Sequence, residues 1–175
     1  MQNVSIIVTF EEQQTQLRQL LPQLLSLQYG KEYEVIVVDL LHDKDTDEWL
    51  EEMEVNYPHL HHTFCPTSVR GIDKYKLALT LGAKAASYEW LVILPVDASL
   101  PGDDWLCQLT CRQDVQEDIV IGITKSVRRW NWFTSYLFRR RFSLFRPTPF
   151  FVLCRRRCLL QVKAIKLLKS QIVRL

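Results

Sequence analysis

The sequence predicts an α/β fold, a mostly parallel sheet with helices on both faces, and three observations carry that prediction. Short apolar runs recur at Val4–Val8, Val35–Val38, Trp90–Val96 and Ile119–Thr124, nearly continuous in hydrophobicity as strands covered on both faces are. Between the first of them, apolar residues return at intervals of three and four, the spacing of amphipathic helices. The connections are short, so strand and helix alternate in the order that yields a parallel sheet.

Asn3 to Phe10 opens the fold as a buried strand on the β-branched run Val4, Ile6, Ile7, Val8. Gln13 to Leu27 sets Leu17, Leu20, Leu21, Leu24 and Leu25 on one helical stripe, and Pro22 must lie near an end of that helix or kink it. Tyr29-Gly30 stops it. Tyr33 to Leu40 is the second strand and closes on Asp39. The polar loop Asp43-Lys44-Asp45-Thr46-Asp47 offers Thr46 or Asp47 as the cap of a helix from Glu48 to about Asn56, ended by Pro58. His61 to Phe64 reads as a weaker third strand. Asp73 caps a helix through Ala86 with Leu77, Leu81 and Ala85 as its apolar positions. Trp90 to Val96 is a strand followed at once by Asp97, and a short helix runs near Asp104 to Cys111. Ile119 to Thr124 and Phe150 to Cys154 supply further strands, and Arg155 to Leu175 reads as a basic helix.

The composition suits one globular domain: 175 residues, 47% hydrophobic and 24% charged, enough chain for a core that needs no metal or disulfide staple. No apolar stretch approaches the ~20 residues of a membrane-spanning helix. The amino terminus lacks the basic and apolar regions of a secretory signal, and five cysteines suit a reducing setting, so the cytoplasm is the expected compartment. The net charge of +2 hides a division: residues 1–118 hold all 20 acids and 8 of the 22 bases, residues 119–175 the other 14 bases and no acid. From Lys125 the bases Arg128, Arg129, Arg139, Arg140, Arg141 and Arg146 interleave with Trp130, Trp132, Phe133, Tyr136, Phe138, Phe142 and Phe145. That mixture fits the boundary between apolar material and phosphate, and a solvated basic helix is its plainer explanation. The acid excess of the first 118 residues and the lack of a binding motif argue against nucleic acid as the partner. The expected division is a core over 1–124 and a basic, aromatic segment over 125–175.

Asp39 and Asp97 are the strongest chemical signal, because ligands of open α/β sheets gather outside the carboxyl ends of the strands. Two carboxylates flanking one crevice suit a hard divalent cation that neutralises phosphate; capping of loop amides is the competing role. Cys107-x-x-x-Cys111 and Cys154-x-x-x-Cys158 make a four-sulfur site only if the segments meet, and buried core cysteines are the expectation. His59, His61 and His62 beside Cys65 are read as surface histidines in a turn next to Pro58. Lys74 and Lys76 open a helix, where a lysine opposes the dipole unless phosphate lies nearby.

Several of these pieces, in order, resemble one family. Val4-Ser5-Ile6-Ile7-Val8-Thr9-Phe10-Glu11-Glu12 resembles the opening strand of the family 2 glycosyltransferases, and Glu34-Val35-Ile36-Val37-Val38-Asp39 with Asp45-Thr46-Asp47 is similar to their second strand and Asp-Asp-x-Ser-Thr-Asp turn, Leu40 replacing the second aspartate. Gly82-Ala83-Lys84-Ala85-Ala86 and Glu89 to Leu94 resemble the helix and strand leading to the Asp-x-Asp metal motif, which here reads Pro95-Val96-Asp97. Phe150 to Arg156 is faintly similar to a later acceptor-side strand ending in a basic pair. The likeness covers residues 3 to about 110 and, weakly, 145 to 162. It implies a GT-A fold binding a nucleoside diphosphate sugar, with Glu11, Asp39, Lys76 and Asp97 at the nucleotide sugar, Asp39 toward the base, and Asp97 holding Mg2+ or Mn2+. Two departures accompany it: one metal-motif acid is proline, and no Asp or Glu follows Asp118 to act as the base that deprotonates an acceptor hydroxyl. The implied function is sugar transfer to an envelope polysaccharide or lipid-linked acceptor; the cationic, aromatic carboxy-terminal third adds the expectation of peripheral attachment to the anionic cytoplasmic face of the inner membrane. The alternative is a nucleotide-sugar-binding remnant or interaction module whose missing elements come from a partner chain.

Overall fold

The computed structural model describes residues 2–66, 73–100, 102–111, 119–123 and 149–160. Within these, strands β1 (Val4–Phe10), β2 (Tyr33–Asp39), β3 (Leu60–Phe64), β4 (Trp90–Pro95), β5 (Ile119–Ile123) and β6 (Pro149–Arg155) form one sheet. Their order is β3-β2-β1-β4-β6-β5. The first four are mutually parallel; β6 runs antiparallel to both β4 and β5, so the parallel expectation holds for the half built from β1 to β4 and the sheet as a whole is mixed. An inner strand is thus supplied by residues 149–155, far along the chain from the strand it pairs with.

The sheet separates two apolar layers, because alternate residues of a strand face opposite ways. Ile6, Val8 and Phe10 pack with Leu17, Leu20, Leu21 and Leu24 of α1 (Gln14–Leu25), Leu50 of α2 (Lys44–Asn56), and Trp105 and Leu106 of α4 (Trp105–Cys111). Ile7, Ile36, Val38, Leu91 and Ile93 pack with Ala78, Leu79 and Ala83 of α3 (Lys74–Ala85) and Leu159 of α5 (Arg156–Leu160). Pro22 lies in the last turn of α1, where the lost N–H costs a single bond, and Ser26 N–H still reaches its carbonyl at 3.1 Å.

Three elements depart from expectation. Helix α2 starts at Lys44, and its cap is Asp43: one carboxylate oxygen accepts from Thr46 N–H at 3.2 Å and from the Thr46 hydroxyl at 2.6 Å, leaving Thr46 and Asp47 inside the first turn. The inward stripe of α3 is Ala78, Leu79, Gly82 and Ala83, whereas Leu77 and Leu81 are half-buried and Ala85 is exposed. Close approach decides this. A Cβ on Gly82 would sit 2.8 Å from Ile7 Cγ2, so the smallest residues face the sheet. Finally, the strand expected at His61 to Phe64 forms as β3, so the expectation of surface histidines in a turn fails: His62 pairs with Glu54 at 2.9 Å, His59 packs edge-on to Tyr33, and of the three only His61 is exposed.

The amino-terminal end of the sheet is fastened by Glu34, a buried acid of β2. Its carboxylate accepts from Ser5 Oγ at 2.6 Å, Ser87 N–H at 2.6 Å and Ser87 Oγ at 2.9 Å, joining β1, β2 and the α3–β4 connection. The several donors offset the cost of burying charge. Most of the basic, aromatic segment, from Lys125 and Arg128 through Arg146 with Trp130, Trp132, Phe133 and Tyr136, lies outside the described residues. So does the expected basic helix beyond Leu160. Among the described residues no helix is long and apolar enough to cross a membrane.

Candidate nucleotide-sugar cleft

Chain order reverses between β1 and β4: β1 continues to β2 on one side, and β4 is entered on the other. The carboxyl ends of these two neighbours are where open α/β sheets place a ligand crevice. The structure has a cleft of about 500 Å³ at that place. Thr9, Phe10 and Glu11 contribute its β1 side, Pro95, Val96 and Asp97 its β4 side, Gln13 and Gln16 the start of α1, and Leu40 and Tyr75 the remaining wall.

Asp97 lies exposed in the turn that follows β4, where Ala98 N–H returns to Pro95 carbonyl at 3.1 Å. Glu11 is exposed across the crevice, just past the end of β1. The two expected acids Asp97 and Glu11 therefore line one cleft. Asp39 is different. It is 1% exposed, and its two oxygens accept from Leu41 N–H at 2.7 Å and Asp43 N–H at 2.9 Å. Its visible work is to turn the β2–α2 loop, with His42 held at φ 59°, so that Leu40 rather than the carboxylate faces the cleft. Lys76 stands half-buried in the first turn of α3, next to a cleft residue but outside the cleft's lining.

Tyr75 was not singled out by sequence reasoning. Its hydroxyl is bonded to Thr9, and burial raises its pKa above the ordinary tyrosine value, so at neutral pH it is an uncharged hydrogen-bonding group. A sequence signal for it exists: Tyr75, Leu79 and Gly82 follow one helical stripe, and the stripe that meets the sheet must present its first member at the carboxyl edge. Leu40, which stands in place of the turn's second aspartate, forms cleft wall instead.

The donor set fits a hard cation. Asp97 and Glu11 bring oxygen ligands, and ions such as Mg2+ commonly take one or two carboxylates with the rest from water and phosphate. Among the described residues no group of three His, Cys, Asp or Glu could hold a metal by protein ligands alone. The four-sulfur arrangement is ruled out for the described cysteines by the layers: Cys154 is buried with α3, while α4, which carries Cys107 and Cys111, packs on the opposite face.

Comparison with known proteins agrees with this geometry. No curated protein sequence matches the chain. Among solved structures, a mannosyltransferase from Pyrobaculum calidifontis, described in complex with GDP-Man and Mn2+, is 24% identical with a TM-score of 0.57 over 70% of this chain and 35% of its own. S. aureus TarS 1-349 in complex with UDP-GlcNAc is 21% identical with a TM-score of 0.60 over 90% of this chain and 46% of its own. The glycosyltransferase GlyE of Streptococcus pneumoniae TIGR4, at 8% identity, gives a TM-score of 0.60 over 97% of this chain and 38% of its own. This chain thus spans between about a third and a half of each. The likeness establishes the GT-A fold. The model of the family described as glycosyl transferase family 2 matches residues 5–165, through β1, both sides of the cleft and β6 alike, and the chain belongs to that family.

Proposed function

We propose that the cleft binds a nucleoside diphosphate sugar, with Mg2+ or Mn2+ held by Asp97, and that the protein transfers the sugar to an envelope polysaccharide or lipid-linked acceptor. The observation that carries this reading is the position of Asp97 and Glu11 on two lips of a crevice at the sheet's switch point. A diphosphate entering between two carboxylates is repelled unless a cation lies between, so the site's own charge calls for the metal. When bound, that ion supplies positive charge to the diphosphate leaving group. Glu11 and Thr9 then orient the sugar nucleotide from the β1 side and Tyr75 from the start of α3; Asp39 serves the base side by holding the Leu40 loop, and Lys76 offers positive charge beside the cleft. The complexes of the P. calidifontis and S. aureus proteins with GDP-Man and UDP-GlcNAc support a nucleotide sugar as the ligand class.

A second reading rests on Pro95 in place of a metal-motif acid and on the absence of any carboxylate after Asp118. In it the chain binds the donor, and a partner chain provides the base for the acceptor. Titration calorimetry with UDP, GDP and their sugars, with Mn2+ and then with excess chelator, tests the shared step: binding should require the ion. Release of free nucleoside diphosphate from a donor sugar by the purified chain separates transfer from binding alone. No heat with any nucleotide at any metal concentration defeats both readings.

A further inference from the structure

Outside the cleft, α4 carries a pair of sulfurs that the nucleotide-sugar reading does not use. Cys107 and Cys111 are one turn apart, Cys111 exposed and Cys107 half-buried, on the side of α4 away from the packed residues Trp105 and Leu106. Neither is in a disulfide, and their Sγ atoms are 4.0 Å apart. We propose that Cys107 and Cys111 form a dithiolate site for one soft or borderline d10 cation, Zn2+ or Cd2+.

The distance is the argument. Two thiolates on a tetrahedral ion, each at about 2.3 Å, stand about 3.8 Å from one another, within a few tenths of the observed separation. A disulfide needs its sulfurs at about 2.05 Å, roughly half of what α4 provides. Positions i and i+4 of a helix share one face, so the helix backbone itself holds the two donors in register without a preformed loop. Soft sulfur ligands select zinc-like ions over Mg2+ and Mn2+, which keeps this site chemically distinct from the oxygen-lined cleft. The nearby Asp104 carboxylate accepts from Gln108 Nε2 at 2.8 Å through one oxygen, and water would fill the remaining coordination positions.

Binding exchanges two protons for one metal ion: each thiol releases its proton to solvent and its sulfur pair binds the ion, the net charge of the pair and ion falling to zero. The Cys107 thiol sits above its ordinary pKa, chiefly through desolvation and then through the Cys111 sulfur. Affinity should therefore climb with pH through the neutral range into the alkaline one.

The test is titration of the reduced full chain with Cd2+ alone, followed by the ultraviolet thiolate-to-cadmium charge-transfer band, then competition with Zn2+. One ion per chain is expected, with the band intensity of two thiolates. Cys107→Ser and Cys111→Ser should each lower the affinity by no less than the roughly 10- to 100-fold that losing even an outer partner of a metal costs. Cys158→Ser, a half-buried cysteine elsewhere, should leave it unchanged. Both α4 sites tolerate serine because neither side chain is fully buried, and circular dichroism confirms the fold. Unaltered affinity in Cys107→Ser or Cys111→Ser, loss in Cys158→Ser, or one ion per two chains overturns the proposal. None of these outcomes depends on nucleotide binding, so the site and the cleft stand or fall separately.

Discussion

Two aspartates at strand ends, alike in sequence, do different work. Asp97 is exposed in a turn and outside the core, so Asp97→Asn should leave the melting temperature unchanged while removing Mn2+-dependent nucleotide binding; calorimetry with and without the ion checks both halves. Asp39 holds two loop N–H groups with a buried carboxylate. Its replacement by Ala leaves both donors unmatched and should destabilise the fold by about 2–3 kcal/mol, read from urea unfolding, as well as weaken nucleotides through the displaced Leu40 loop. Asp39→Asn should recover only part of that loss despite its matching shape, because one amide position donates where an acceptor is needed. Cysteine reactivity divides the same way: burial pushes the Cys154 thiol up to about 12, so it should resist alkylation at pH 8 while exposed Cys111 reacts, as mass spectrometry of a timed labelling reaction will register.

At the scale of elements, α3 shows how far a hydrophobic pattern reaches. Leucines mark the apolar side of a helix in sequence, yet Leu77 and Leu81 flank the contact and Gly82 makes it. Gly82→Ala places a methyl 2.8 Å from the branch methyl of a fully buried Ile7 and should cost about 1–3 kcal/mol despite alanine's better helix propensity, a sign opposite to that of an exposed helix glycine. Thermal unfolding of that variant beside Lys84→Ala, at an exposed position of the same helix, gives the comparison. Strands were legible because β1, β2 and β4 are buried on both faces, which leaves a continuous apolar run, and the crevice followed from their alternation with helices. What stayed hidden depends on contacts between distant segments. The antiparallel insertion of β6 between β4 and β5 has no local signature, and neither does the choice of Asp43 over Thr46 or Asp47 as cap, which turns on Asp39 bonding the Asp43 N–H four residues on. Tyr75 reads as one more apolar helix residue until the sheet edge is in place.

Over the whole molecule the charge division becomes a statement about orientation. Part of the basic excess is spent inside the fold: Arg155 lies 4.9 Å over the Trp90 ring, and Arg156 Nη1 donates to Ala86 carbonyl at 2.6 Å, tying the end of β6 to α3 and β4. Those two arginines act as structural groups. By sequence, residues 119–175 contain no acid, whereas the first 118 residues carry 20, so the charge is strongly uneven along the chain. Such a chain should approach an anionic surface by its carboxy-terminal third, with each base near the surface contributing about 1 kcal/mol and Trp130, Trp132, Phe133 and Tyr136 suited to the headgroup level. Flotation with phosphatidylglycerol vesicles should recover the protein at low salt and lose most of it near 1 M, where the Debye length shrinks to about 3 Å. Neutral phosphatidylcholine vesicles should not recover it at either. Arg155→Gln should change flotation little but lower stability through the lost cation–π contact, while neutralising Arg139, Arg140 and Arg141 together should do the reverse. Absence of recovery from phosphatidylglycerol at low salt would mean that the arginines are distributed around the folded surface, and the proposed acceptor would then have to be sought away from the membrane.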